Sequence, residues 1–296
     1  MWGEKMLDLK ITDVRVVPAD SGFLVDDGVT SILYDSGFAF TGDEMAQNVK
    51  RALKNRTLDY IFLTHSHYDH ALGAAYVKRL YPSARVVAGE HATEIFAKPT
   101  AKSVMRDLDR KFALSCGVTD YEDLTDDLCV DIPVVDGDII KTGGLTFTAI
   151  TFPGHTRCSV GYYCHEKKLL LGSETTGVYV GDGVVMPLFL IGYKPALESI
   201  AKMEALDIDY VLSPHYGILD AEQTKMYLKN AKSTTLEVVD NIKRILQNGG
   251  SKEEAVTYYK NKFFRGYVKT IYPLAALDLN TRIMVDLIEK EINSDV

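Results

Sequence analysis

No uninterrupted apolar run in the 296 residues approaches the ~18 residues that crossing a bilayer takes, so no membrane span is predicted. The opening Met1-Trp2-Gly3-Glu4-Lys5-Met6 has neither an apolar stretch nor a small-residue cleavage site, which predicts no export signal and a cytoplasmic protein. Cysteine is scarce. Cys116, Cys129, Cys158 and Cys164 form no C-x-x-C pair, which argues against a zinc ribbon or a redox dithiol and predicts reduced thiols packed as small apolar groups. Positive charge is also short: 33 Lys and Arg against 41 Asp and Glu leave a net charge of −8, so nucleic acid is not an expected partner. There is no low-complexity segment and no repeat of fixed period. What remains is the balance of an ordinary globular protein, 46% apolar and 25% charged, long enough to bury a core without disulfides.

Strand and turn signals alternate through the first third. Ile11 to Val17, Gly22 to Val25 and Thr30 to Tyr34 are β-branched or aromatic runs separated by Gly, Asp and Ser. Met45, Val49 and Leu53 recur at four-residue intervals and predict a helix. Leu58 to Thr64 reads as a buried strand that ends on a histidine cluster, followed by helical residues from about Leu72 to Leu80 and a strand at Arg85 to Ala88. This order predicts an α/β layer in which a loop at a strand's end carries the site. A polar, helical excursion runs from about His91 to Val130, broken at Cys116-Gly117. Strands resume at Ile139-Ile140, Leu145 to Ile150, Val160 to Tyr163 and Lys168 to Leu171, punctuated by Asp136-Gly137-Asp138 and Gly143-Gly144. From about Ala221 onward the pattern is helical, with Ile283, Leu287 and Glu291 regularly spaced.

Histidine is rare as well, seven in the chain, yet His65, His67 and His70 fall within six residues together with Asp69. Chance would place H-x-H-x-[DE]-H in fewer than about one such composition in a thousand. Side chains at i and i+2 of an extended segment share a face, so His65 and His67 can grip one ion, while a turn lets Asp69 and His70 face another. Imidazole and carboxylate ligands suit Zn²⁺, and also Fe or Mn. Four residues do not fill two sites. His155, after the Pro153-Gly154 turn, and His215, after Pro214, both stand where a strand ends, a common place for site residues. His91 at a helix start and His165 beside Glu166-Lys167-Lys168 read as ordinary exposed histidines.

The cluster, then Pro153-Gly154-His155-Thr156, then Pro214-His215, resemble in that order the motifs of metallo-β-lactamase-fold hydrolases, the glyoxalase II-like and thioesterase-like members among them. Tyr34-Asp35-Ser36-Gly37 and Val135-Asp136-Gly137-Asp138 are similar to two further landmarks, and the resemblance covers roughly residues 10 to 220. It implies a four-layer αββα sandwich over residues 1–220, interrupted by an insertion at about 91–130. Residues 221–296 are expected to form a helical C-terminal cap packed on the same domain. It also implies two divalent metal ions, zinc first with iron or manganese as alternatives: one on His65, His67 and His155, the other on Asp69, His70 and His215. The family usually places an aspartate after the next strand to bridge both ions; here Glu174, one methylene longer, stands at that place and is assigned the bridge. A second departure is Arg157-Cys158 where small residues are usual; Arg157 is read either as a contact for an anionic substrate or as a surface ion pair.

Two such ions lower the pKa of a shared water, so the expected nucleophile is a metal-bridged hydroxide, with Asp69 as catalytic residue orienting it. Tyr68 and Tyr216, adjacent to ligands, are candidates for protonating the leaving group or for rim packing. The expected reaction is hydrolysis of a small ester-like substrate, a thioester or lactone. A phosphodiesterase, a mononuclear iron thiol-oxidising enzyme, and a metal-bearing regulatory protein with incidental hydrolysis stand as alternatives. Length, motif spacing and tail are also similar to thioesterase-like quinolone-signal response proteins of this fold, which favours a capped pocket. The helical tail offers a face for a homodimer contact.

Overall fold

In the computed structural model, which describes residues 8–294, the chain divides into two units. One is made of Met1–Thr151 with Val160–Gly172, the other of Phe152–Ser159 with Ser173–Val296. The polar start Met1 to Met6 lies outside the described residues.

The first unit opens with β1 (Lys10–Asp13), β2 (Phe23–Asp26) and β3 (Ser31–Tyr34), paired antiparallel. The run expected to reach Val17 stops at Asp13, whose carboxylate accepts the Arg15 N–H at 3.0 Å and turns the chain. α1 (Gly42–Leu53) follows, with Met45, Ala46, Val49 and Leu53 on its buried stripe. Asp43 and Glu44 in its first turn and Lys50 and Arg51 in its last complement the helix dipole. β4 (Tyr60–Phe62), α2 (Tyr68–Ala71), α3 (Ala74–Leu80) and β5 (Arg85–Gly89) come next, β4 lying parallel between β3 and β5. Every residue of β3 is buried, as expected for a strand with neighbours on both edges and covered faces.

The excursion expected at 91–130 contains α4 (Glu90–Ala97) and α5 (Pro99–Ser115) before the chain returns to the sheet as β6 (Ile132–Val134). Pro99 starts α5, where its missing N–H costs nothing, and Gly117 (φ 80°) follows its end. The six-stranded sheet runs in the order β1 to β6. β7 (Ile139–Lys141), β8 (Thr146–Thr151), β9 (Val160–Cys164) and β10 (Leu169–Leu171) form an antiparallel meander in the same unit. Phe62 of β4 meets Phe147 of β8 at 5.4 Å, nearly edge to face, and Tyr162 of β9 at 4.5 Å. The Tyr162 hydroxyl donates to the Leu63 carbonyl at 2.8 Å, so the two layers are joined by aromatic packing and a satisfied polar tip.

The second unit holds the hairpin β11 (Val178–Tyr179) and β12 (Val185–Met186), then α6 (Tyr193–Glu204) and the hairpin β13 (Tyr210–Ser213) and β14 (Gly217–Leu219). Four helices follow: α7 (Ala221–Gln247), α8 (Lys252–Phe263), α9 (Val268–Ile271) and α10 (Leu274–Ser294). α7 and α8 each start on a capping box, Asp220 with Gln223 and Ser251 with Glu254. Their apolar faces, Val239 and Tyr259 among them, share one buried cluster with Met186, Leu188, Phe189, Tyr193, Leu277 and Met284. On α10 the buried face is Leu277, Thr281, Met284, Val285 and Ile288. The spaced set Ile283 and Leu287 read from the sequence sits at its margin, half-buried.

None of the four cysteines is in a disulfide, but only Cys158 and Cys164 are packed inside as expected; Cys116 and Cys129, both in the insertion, are exposed. Among the described residues no helix is long and apolar enough to cross a membrane.

Candidate metal centre

In the first unit the chain leaves β4 at Phe62 and the ladder is replaced by side-chain support. The Thr64 N–H donates to Asp35 Oδ1 at 2.8 Å, so the strand signal that ran to Thr64 ends two residues early. Asp35 is wholly buried and takes four hydrogen bonds, from Thr64 N–H, Thr64 Oγ1 (3.1 Å), Ser21 Oγ (2.8 Å) and His70 Nδ1 (2.7 Å). That coordination satisfies the oxygens of a buried carboxylate. Because a carboxylate only accepts, His70 carries its proton on Nδ1 and turns the Nε2 lone pair outward. Thr64 Oγ1, having donated to Asp35, accepts from His65 Nδ1 at 3.0 Å, which places the His65 lone pair on Nε2 in the same way.

The four cluster residues are brought together. The His65 ring lies 4.6 Å from His67 and 4.0 Å from His70, and Asp69 Oδ2 is 3.6 Å from His70 Nε2. His67 is extended (φ −71°, ψ 152°) and is the residue from which α2 starts, so the next turn carries Asp69 and His70 round as the sequence spacing predicts. His65 and His70 are buried; His67, Tyr68 and Asp69 are half-buried.

The second unit assembles the later residues. Gly154 of the Pro-Gly turn has φ 151°, and a Cβ there would lie 2.8 Å from the Ala196 Cα, so only glycine lets α6 approach. His155 Nδ1 donates to the Leu188 carbonyl at 3.1 Å, which fixes its tautomer and leaves Nε2 facing Glu174 Oε2 at 3.0 Å. His215 Nε2 lies 3.1 Å from Glu174 Oε1, and Glu174 is only 2% exposed. His215 adopts φ 61°, a left-handed conformation rare outside glycine, with its carbonyl held by the Tyr267 hydroxyl. The Tyr272 hydroxyl donates to Glu174 Oε1.

These donor sets fit divalent ions. Three imidazoles have Nδ1 committed to an acceptor, and on His155 an acceptor nitrogen is turned toward a carboxylate oxygen, an arrangement that a shared cation favours. His91 and His165 stand apart. His91 pairs with Glu94 on α4 at 3.2 Å, and His165 bonds Thr148 at 3.2 Å in the turn after β9. Arg157 is exposed. Tyr68 packs on Phe38 at 5.5 Å, and Tyr216 packs on Tyr179 at 4.7 Å. Burial, and then Tyr179, hold the Tyr216 phenol above its ordinary pKa, so it keeps its proton at neutral pH. The supporting Thr64, Leu188 carbonyl, Tyr267 and Tyr272 were not singled out in the sequence, and Asp35 was noted only as a landmark; Asp35 alone had a local signal, the Asp-Ser-Gly turn after a buried strand.

The solved structures that this chain resembles share its fold. A metallo-beta-lactamase family protein from Thermus thermophilus aligns at TM-score 0.60 over 91% of this chain and 88% of its own, with 17% identity. An archaeal metallo-beta-lactamase superfamily protein from Sulfolobus tokodaii aligns at 0.55 over 72% and 84%, with 22% identity. Among curated relatives, a hydroxyacylglutathione hydrolase of Rhodopseudomonas palustris (strain HaA2) is 27% identical over 68% of this chain and 64% of its own length. A protein named Glyoxylase B2 from Dictyostelium discoideum is 30% identical over 54% of this chain and 47% of its own. The chain thus spans less than two thirds of these curated relatives. The metallo-beta-lactamase superfamily model matches residues 15–215, a stretch that contains the cluster, the Pro-Gly-His turn and His215. By that match, and by an α/β sandwich with the motifs in their order, the chain belongs to the metallo-β-lactamase superfamily.

Proposed function

We propose that this chain is a metal-dependent hydrolase acting on a small ester-like bond, a thioester or a lactone. One ion is assigned to His65, His67 and His155, a second to Asp69, His70 and His215, and Glu174 to both. The observation that carries the reading is the commitment of Nδ1 on His65, His70 and His155 to Thr64, Asp35 and the Leu188 carbonyl, which presents three Nε2 lone pairs as ligands. Curated relatives named hydroxyacylglutathione hydrolases support hydrolysis as the reaction class. Divalent ions held this way polarise a carbonyl oxygen and make bound water acidic near neutral pH, so no activated serine or cysteine is required. Zinc is the first choice for such a set, with iron and manganese as alternatives. Asp69, half-buried at the start of α2, is assigned the orientation of the attacking water. The tail from residue 221 onward is assigned the role of a cap that selects a small acyl group.

The test joins metal analysis of the purified protein to a panel of thioesters, lactones and phosphodiesters. Thioester or lactone turnover is expected, and Asp69→Ala is expected to lower it by about a hundredfold or more. Full activity in that variant, or turnover confined to phosphodiesters, would overturn the assignment.

A further inference from the structure

Six residues of the helical tail, 267–272, deliver two phenols to the second unit's donor set. Tyr267 precedes α9 and donates to the carbonyl of His215; Tyr272 follows α9 and donates to Glu174 Oε1. Tyr272 stands before Pro273, and the residue before a proline is confined to extended backbone; it has φ −120° and ψ 120°. It is 6% exposed, and its ring lies 5.7 Å from that of His215. Glu174 divides its carboxylate, Oε2 toward His155 and Oε1 toward His215, so the plane of that carboxylate decides whether each oxygen faces its imidazole. A glutamate side chain has three rotatable bonds to immobilise, and ordering it costs more than ordering a shorter acid. The buried phenol supplies a fixed donor on one oxygen, while the second phenol holds the carbonyl of a residue in left-handed backbone.

We propose that the 267–272 turn is a positioning element of the metal centre: the Tyr272 hydroxyl sets the plane of the Glu174 carboxylate, and the Tyr267 hydroxyl sets the backbone of His215. The proposal rests on the reading of Glu174 and His215 as ligands. The tail is then part of the site's ligand geometry as well as of the fold, and an outer hydrogen bond to a ligating carboxylate typically carries ten- to a hundredfold in metal affinity.

The test uses the full chain, stripped of metal and titrated with Zn²⁺ against a chromophoric chelator, with Co²⁺ loading read by its visible spectrum. Tyr272→Phe keeps the ring and removes the donor. It is expected to keep the metal-free protein cooperatively folded with a melting temperature only a few degrees lower for the lost hydrogen bond, to weaken at least one zinc equivalent by about tenfold or more, and to shift the Co²⁺ bands. Tyr267→Phe is expected to weaken binding severalfold, and it provides an independent arm should Tyr272→Phe not fold. In Glu174→Asp, whose oxygens draw back from residue 272, adding Tyr272→Phe is expected to cost nothing further; an additive loss would show that the two do not act together. Native zinc affinity and spectrum in both phenylalanine variants overturns the proposal, as does a loss in Tyr272→Leu that is absent in Tyr272→Phe, because the ring alone would then matter. Native metal content in Glu174→Gln would sink the ligand reading and this role with it. Impaired binding in Glu174→Gln beside native binding in both phenylalanine variants would sink the positioning role alone.

Discussion

Asp35 and His215 both have left-handed backbone, φ 53° and φ 61°, although neither is glycine. Such a conformation costs a non-glycine residue roughly 1–2 kcal/mol and persists only where neighbours hold it. Asp35 is held by its N–H on the Phe62 carbonyl at 2.9 Å and by its four-bonded carboxylate. A different balance governs Asp109, on α5. Its carboxylate accepts the Ala39 N–H at 2.8 Å and the Tyr121 hydroxyl, but burial outweighs both and raises its pKa from 3.8 to about 6. The folded protein therefore keeps a proton there that the unfolded chain has released. The stability this contributes is full below pH 3.8 and is lost as pH rises through about 6. Asp109→Asn removes the titration. Relative to that variant, the wild type is expected to lose on the order of 2 kcal/mol between pH 4.5 and 7.5, at about 1.4 kcal/mol per pKa unit. Urea denaturation at the two pH values checks it, and parallel pH profiles would show that Asp109 does not titrate there.

Elements were legible where periodicity was strong. Met45, Val49 and Leu53 face inward on α1 as their spacing requires, and the tail is helical through α7, α8 and α10. Boundaries were less so. β1 and β4 are shorter than their apolar runs because Asp13 and Asp35 take backbone N–H groups that would otherwise continue the pattern. Gly73, at the start of α3, shows a constraint of space and not of conformation. Its φ of −65° suits any residue, yet a Cβ would lie 1.8 Å from the Ser36 carbonyl oxygen. Ser36 in turn binds the His70 carbonyl through its N–H at 2.7 Å and its hydroxyl at 2.9 Å. Gly73→Ala is expected to cost about 3 kcal/mol, since the obstacle is backbone and not a flexible side-chain tip. An effect below about 1 kcal/mol in denaturant unfolding would show that the loop yields freely.

At the scale of the whole molecule, the helical tail supplies half of the second unit's buried apolar residues. Ending the chain after Asp220 would strip the partners of Met186, Leu188, Phe189 and Tyr193, and remove Tyr267 and Tyr272 from the donor set. Each large apolar side chain so exposed forfeits roughly 1.5–3 kcal/mol, and a domain is stable by only about 5–15 kcal/mol. The truncated chain is expected to be insoluble or to bind a hydrophobic dye without near-ultraviolet circular dichroism. A soluble, cooperatively unfolding 1–220 fragment would show that the tail is dispensable for folding.

The sequence by itself determined the candidate donors, because a ligand set is recognised by residue type and close spacing, and both are local properties. His65, His67, Asp69 and His70 could be read directly, and His155, Glu174 and His215 through motif order. His91 and His165, read as ordinary exposed histidines, pair with Glu94 and Thr148; His165 is exposed, His91 half-buried. Only the tertiary structure decided which nitrogen of His65, His70 and His155 is taken up by a supporting group. Asp35 meets His70 from 35 residues away, the Leu188 carbonyl meets His155 from 33, and Tyr272 meets Glu174 from 98. No periodicity records such pairs. They exist because the fold buries polar groups that must find partners, and the partner is whichever group packing brings within reach.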